Sequence, residues 1–255
     1  MTLLLAAISA QMLTWDQYRD LAGPGPEVLR LRSGTGTLLY YGARHSRDPL
    51  DPQVRKIEDL WSECRPTIAL AEGGLSPLAA NAAQAVARYG EAGLVRFLAS
   101  RDRIPVASLD PSDEEQVAAL LLLFPPDRVK LFYLLRRVVD LRRQTARGAN
   151  PDALAEAELR RLSRLPGLHG GPQSLRDVAA AVPDWRDVPD SWFDPLRTEA
   201  FTSQINRELS QVRNRHMVKL LTEQMAAGHR VFAVVGRTHL VMQEPALRSA
   251  ITSPE

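Results

Sequence analysis

Apolar and polar positions alternate over residues 28–32, "VLRLR", pause at "SGTG", and resume as "TLLYYG" up to residue 42, which predicts a β-hairpin. Asp51-Pro52 then reads as a helix start, with Val54, Ile57, Trp61 and Cys64 on one face. Residues 67–74, "TIALAEGG", are almost continuously apolar until a carboxylate and two glycines, the pattern of a strand buried on both faces. Alanine-rich helical stretches are expected at 77–88 and 91–101, followed by a short strand over 104–110, "IPVASLD", that ends in a second acid. "SDEE" at 112–115 has capping-box spacing for the helix carrying the leucine run 120–123. Pro125-Pro126 end that helix, and 127–147 predict a long one with a basic face. Residues 148–197 hold two helical stretches around "LPGLHGGPQS", then the loop "VPDWRDVPDSWFDPL". The last long helix, over 198–227, is expected to bury Phe201, Ile205, Leu209 and Val212. Gly228 ends it, and 231–235 form a final apolar strand.

Strands at both chain ends with helices between them predict an α/β fold: a mixed, largely buried sheet with a helical insertion. We read residues 1–25 as an N-terminal segment and 26–255 as a single domain whose helical middle covers about 112–200. Composition narrows the function classes. With 32 basic and 30 acidic residues the net charge is +2, so no strong field draws the chain to nucleic acid, and no nucleic-acid-binding motif is present. Cys64 is the single cysteine, which excludes intrachain disulfides and cysteine-built zinc sites and reads as a core thiol. The longest internal apolar run, 117–124, is far short of the ~20 residues that span a bilayer. "MTLLLAAISAQ" is similar to the end of a secretory signal, through its apolar stretch and Ser9-Ala10, although it lacks a basic n-region. A cleaved signal and a periplasmic or secreted location are expected from it; a buried N-terminal segment of a cytoplasmic chain has the same composition.

The chemistry-bearing residues sit where strands end. His45 follows Gly42, Glu72 precedes Gly73-Gly74, Asp110 closes the fourth strand, and His239 follows Gly236. Parallel α/β sheets bind ligands at the carboxyl ends of their strands, so two imidazoles and two carboxylates there form a candidate metal or acid–base cluster. Gly42 and Gly236 are expected to allow tight turns and a close backbone approach to a ligand. With 15 glycines in 255 residues, composition alone places a glycine three residues before a given histidine about 6% of the time. Two of five histidines in that relation, both at ends of apolar strands, therefore point to function. Arg213 lies at the edge of the last helix's apolar stripe, where a guanidinium can clamp a carboxylate or stabilise an oxyanion. Asp110 is also compatible with a turn beside Pro111, and His169, His216 and His229 read as structural. Arg44 and Arg237, inside the two glycine–histidine segments, are candidates for an anionic contact.

Together, "GARH" at 42–45, "AEGG" at 71–74, "SLDP" at 108–111, "RN" at 213–214 and "VVGRTH" at 234–239 resemble the TraB/GumN/PrgY family. That family includes the Tiki proteases and is related to the erythromycin esterase and ChaN-like folds. The resemblance runs from about residue 28 to 247. It implies that His45 and His239 are the two motif histidines, Glu72 the acid after a core strand, and Arg213 with Asn214 the helix-borne pair. It further implies a divalent-metal-dependent hydrolase acting on peptides, with manganese or cobalt favoured over zinc. In that reading His45, Glu72 and His239 hold the metal, Glu72, Arg213 and Asn214 serve catalysis, and Asp110, Gly42 and Gly236 complete the site. The family commonly carries Glu where this chain has Asp110. Tiki proteins are membrane-anchored, and no comparable anchor is expected here. Two alternatives use the same residues: a non-catalytic protein binding haem, iron or a peptide signal, and a metal-free esterase.

Overall fold

The computed structural model describes residues 11–145, 150–197 and 199–252. The signal-like run at 1–10 lies outside them, as does the predicted end of the long helix at 146–147. The chain divides into two compact units, Met1–Pro111 with Arg213–Glu255, and Ser112–Val212. The helical middle is thus a unit of its own.

The first unit is built on a five-stranded mixed sheet in the order β1-β2-β5-β3-β4. The strands are β1 (Val28–Ser33), β2 (Gly36–Ala43), β3 (Ile68–Ala71), β4 (Val106–Ser108) and β5 (Arg230–Gly236). The hairpin β1–β2 is antiparallel, and β2, β5, β3 and β4 run parallel. The last strand therefore enters the middle of the sheet, between two strands from the start of the chain. Four strand carboxyl ends consequently lie along one edge.

Both faces of the sheet are covered, which explains its near-continuous apolar strands. On one face Tyr40, Leu70, Val231, Ala233 and Val235 pack with Met217, Val218 and Leu221 of the long helix and Leu240 and Leu247 of the last helix. On the other, Tyr41, Ala69, Phe232 and Val234 meet Ile57, Leu60 and Trp61 of α2 (Pro52–Cys64) and Leu94 and Leu98 of α3 (Ala82–Asp102). The Asp51 side chain caps α2 by accepting from the Gln53 N–H, with Pro52 at its first position, as the sequence predicts. Helix α3 breaks at Gly90 (φ 64°), so the two predicted helical stretches are segments on either side of one glycine. Cys64 is half-buried, and burial raises its thiol to about 11.

Two elements depart from expectation. Residues 11–25 do not stand apart from the domain: Met12 joins the sheet's core, and Trp15 is buried in the short helix α1 (Trp15–Arg19), capped by Thr14. The strand end at Gly236 runs straight into a helix, Arg237–Thr252, which the sequence did not suggest because Pro245 lies inside it.

The second unit is helical. It contains α4 (Asp113–Leu121), opened by the Ser112–Glu115 capping box, α5 (Pro126–Thr145), α6 (Pro151–Leu162), α7 (Leu175–Ala181) and the first half of α8 (Phe201–Ala226). Phe132, Leu134, Leu135, Leu162, Trp185 and Ile205 form its core. Arg237–Thr252, in the first unit, is α9. Among the described residues no helix is long and apolar enough to cross a membrane.

One glycine is a sensitive test of the sheet's packing. A Cβ on Gly36, at the start of β2, would stand 2.0 Å from the Met225 carbonyl oxygen, and a backbone atom cannot step aside. Gly36→Ala is expected to cost about 3 kcal/mol. Gly34→Ala, in the hairpin turn at φ 55° with open space around it, should cost nearer ~1 kcal/mol. Urea unfolding of both variants measures the difference, and equal midpoints would contradict the close approach.

Candidate active site

The parallel register carries the polar residues together. Ala43 of β2 pairs with Gly236 of β5, and Ala71 of β3 with Val234, so His45, Glu72 and His239 emerge from neighbouring strands. Asp110 follows β4 beside them. Arg213, on α8, reaches all of this from one side. Its Nη2 donates to Glu72 Oε1 at 2.6 Å and its Nε to Asp110 Oδ1 at 2.6 Å. Its Nη1 faces His239 Nε2 at 3.3 Å. The remaining carboxylate oxygens accept from backbone: Glu72 Oε2 from the Gly236 N–H at 2.6 Å, Asp110 Oδ2 from the Gly73 N–H at 2.7 Å.

Arg213 is therefore largely shielded, with 11% of its side chain exposed, and from the edge of the apolar stripe it clamps two carboxylates, as its position allows. The stripe of α8 changes composition here: past residue 212 its buried positions are Asn214, Met217, Val218, Leu221 and Met225. Burial opposes the guanidinium's charge, but Asp110 and Glu72 hold its pKa above the ordinary value. Burial would raise the Glu72 carboxyl, and the neighbouring His239 and Arg213 with the Gly236 N–H bring it down instead, to about 2.

His239 is held in one tautomer by a directional chain. Tyr40 Oη donates to Gln243 Oε1 at 3.0 Å, Gln243 Nε2 donates to Asn214 Oδ1 at 2.8 Å, and His239 Nδ1 donates to the same oxygen at 2.6 Å. Every donor meets an acceptor only if His239 Nε2 carries the lone pair. Burial, reinforced by the charge of Arg213, lowers this imidazole to about 4, so it is neutral at pH 7. Asn214, fully buried, orients His239 and does not reach out to a ligand.

His45 is the counterpart at the rim. Its Nδ1 donates to Glu91 at 2.5 Å, and that bond raises its pKa. Gln53 clamps the loop carrying it, accepting from the Arg44 N–H at 3.1 Å and donating to the Arg44 carbonyl at 2.6 Å. An ideal Cβ on Gly236 would stand 2.8 Å from His45 Nε2 and 3.3 Å from Glu72 Oε2, so these atoms converge on the space this glycine leaves empty. Gly42 leaves room for the Arg237 backbone, whose Cα would lie 3.1 Å from a Cβ there. Neither glycine has a positive φ and both lie within strands, so the expected tight turns are absent. Arg44 faces Asp51 at 3.5 Å and Arg237 donates to the Gly25 carbonyl, so both expected anion contacts are engaged elsewhere. A cleft of about 310 Å³ opens over His45, Glu72, Gly73, Gly74, Ser76 and Glu91.

Six of the charged or polar residues named from the sequence, His45, Glu72, Asp110, Arg213, Asn214 and His239, thus gather around Glu72 and Arg213, whereas Arg44 and Arg237 do not. Sequence reasoning missed Glu91, Gln53, Gln243 and Tyr40. Glu91 carried one usable signal, its place directly after the helix-breaking Gly90.

The donors suit a divalent cation in kind. His45 and His239 each have Nδ1 tied to an oxygen, the usual support for an imidazole ligand, and each turns Nε2 toward Glu72, from which His239 Nε2 is 3.8 Å. In spacing they are not drawn together: among the described residues no group of three or more His, Cys, Asp or Glu side chains is placed to hold a metal. The competitor is Arg213, whose Nη1 and Nη2 face the same lone pairs of His239 and Glu72.

The site's titration predicts how stability depends on pH. The His239 imidazole is held at about 4 in the fold against 6.5 as its ordinary value, so the unfolded chain takes up a proton the native state refuses. Stability should fall as pH drops from 6.5 toward 4, on the order of 3 kcal/mol when complete. Glu72, at about 2 against 4.5, adds a further loss below pH 4.5. His45 opposes both, since its raised pKa contributes stability that is lost as pH rises, but it is largely exposed. Urea midpoints at pH 7.5, 5.5 and 4.5 check this. His239→Gln should remove the decline between 6.5 and 4.5, and a flat wild-type profile would exclude a neutral buried His239.

Comparison with protein-family models, with curated proteins and with solved structures returns no match to this chain.

Proposed function

We propose that the chain is a divalent-metal-dependent hydrolase acting on peptide bonds at the cleft over β2, β5 and β3. The observation that carries this is the pair of imidazoles flanking one ionised glutamate, each with Nδ1 secured and Nε2 turned toward Glu72. The resemblance of the "GARH", "AEGG" and "VVGRTH" segments to the TraB/GumN family supports the same reading. A manganese or cobalt ion would be held by His45 Nε2, His239 Nε2 and Glu72, and when bound would acidify a water and polarise the scissile carbonyl.

The chain's own groups have defined tasks. Glu91 keeps the Nδ1 proton of His45 in place, and Asn214, braced by Gln243 and Tyr40, does the same for His239. Arg213 keeps Glu72 ionised and supplies a fixed positive charge where an oxyanion would develop. Gly73 and Gly74, both at positive φ with open space around them, let a substrate backbone approach the floor of the cleft.

One observation favours a second, metal-free reading. Arg213 already supplies a cation beside Glu72 and His239, and the exposed His45–Glu91 pair is arranged as a general base and its orienting carboxylate. A peptide-library cleavage assay on chelator-treated protein separates the two. Cleavage restored by manganese or cobalt supports the first, cleavage that persists in EDTA supports the second, and no cleavage under any condition overturns both.

A further inference from the structure

We infer that Arg47 and Arg88 form an anion subsite in this cleft and hold a carboxylate of the substrate close to the bond that is cut. The inference deepens the hydrolase reading and rests on it. Both arginines line the cleft together with His45 and Glu72. Arg47 lies two residues beyond His45, and Arg88 three residues before Glu91 on the other side of the break at Gly90. The two guanidiniums thus come from the chain segments that supply the His45–Glu91 pair.

What singles them out is that two arginines without a counter-charge share one cleft with His45 and Glu72. Among the described residues neither makes a hydrogen bond or an ion pair, whereas Arg30, Arg55, Arg161 and Arg186 each meet a carboxylate. The cleft's own carboxylates cannot serve them. Glu72 is held by Arg213 and the Gly236 N–H, and Glu91 by His45. Arg88 and Glu91 would be neighbours at i and i+3 on an unbroken helix, but the φ of 64° at Gly90 interrupts it. Two unpaired guanidinium forks in one cleft, beside the candidate reacting groups, match a carboxylate, to which each fork can donate in bidentate fashion. In a peptide, that group is either the terminal carboxylate or an acidic side chain.

The test uses fluorescein-labelled peptides of one core sequence in three forms: a free C-terminus, an amidated C-terminus, and an amidated form with one internal glutamate. Binding is read by anisotropy, and cleavage is read on the same samples. Wild type should bind one or both carboxylate forms about tenfold or more tightly than the uncharged form. The form preferred identifies the source, terminal or side-chain. Arg47→Gln and Arg88→Gln should each remove most of the preference while leaving binding of the uncharged form unchanged. Equal affinity for all three forms in wild type, or a preference that survives both substitutions, overturns the subsite. Cleavage without charge preference would retain the hydrolase and reject the subsite. Charge-selective binding without cleavage would do the reverse.

Discussion

Replacing Arg213 with methionine should destabilise the protein by 3–5 kcal/mol, on the order expected when one partner of a buried ion pair is removed. The substitution preserves the side chain's length and apolar stem but leaves Glu72 and Asp110, each about 15% exposed at most, facing one another without a cation. Their backbone donors, Gly236 and Gly73, remain, but two like charges at one sheet edge do not. Two further results would identify the cause. Combining Arg213→Met with Glu72→Gln and Asp110→Asn should recover much of the loss, since the uncompensated charges are gone. The single variant should also gain stability as pH falls toward 5, opposite in sign to wild type, because protonating a carboxylate relieves the repulsion. Urea unfolding at pH 7 and pH 5 measures all of this. A loss below ~1 kcal/mol would mean that the bridge contributes little.

The second large effect is on turnover. His45→Ala should reduce peptide cleavage at least 100-fold, the scale of a lost catalytic imidazole, while leaving the unfolding midpoint close to wild type. The separation follows from geometry: the His45 side chain is 68% exposed and, among the described residues, bonds to Glu91 alone, so its removal empties the cleft without opening the core. His239→Ala should lose activity equally and also stability, about 2 kcal/mol, because Asn214 and Arg213 lose a buried partner. Asn214→Ala is expected between them, keeping the imidazole but releasing its tautomer. Wild-type turnover in His45→Ala would overturn the proposed function under either its metal or its metal-free form.

The missed residues share a physical character. Gln53, Glu91 and Gln243 lie on helices, and apart from the place of Glu91 after Gly90 nothing in their polar character marks them as site residues. Each joins the site only through a separate segment that folds beside it: Arg44 nine residues from Gln53, His45 on its loop 46 residues from Glu91, and Asn214 of α8, 29 residues from Gln243. Arg213 shows the same limit. The stripe Phe201, Ile205, Leu209 and Val212 puts it at an edge from which it can clamp a carboxylate, but which carboxylates it meets depends on the strand ends brought to it. Pro245 hid the last helix for a different reason, since propensity disfavours a proline that packing around Leu240, Ala246 and Leu247 tolerates.

Local chemistry determined the strands, their apolar faces, the caps at Asp51 and Ser112, and the two glycine–histidine segments, because each depends on residues within a few positions of one another. The tertiary structure alone decided that β5 inserts between β2 and β3, that Arg213 is the hub between Glu72 and Asp110, and that His45 pairs with Glu91. Those contacts join residues 46 to 141 positions apart, and only the closing of the parallel sheet brings them within hydrogen-bonding reach.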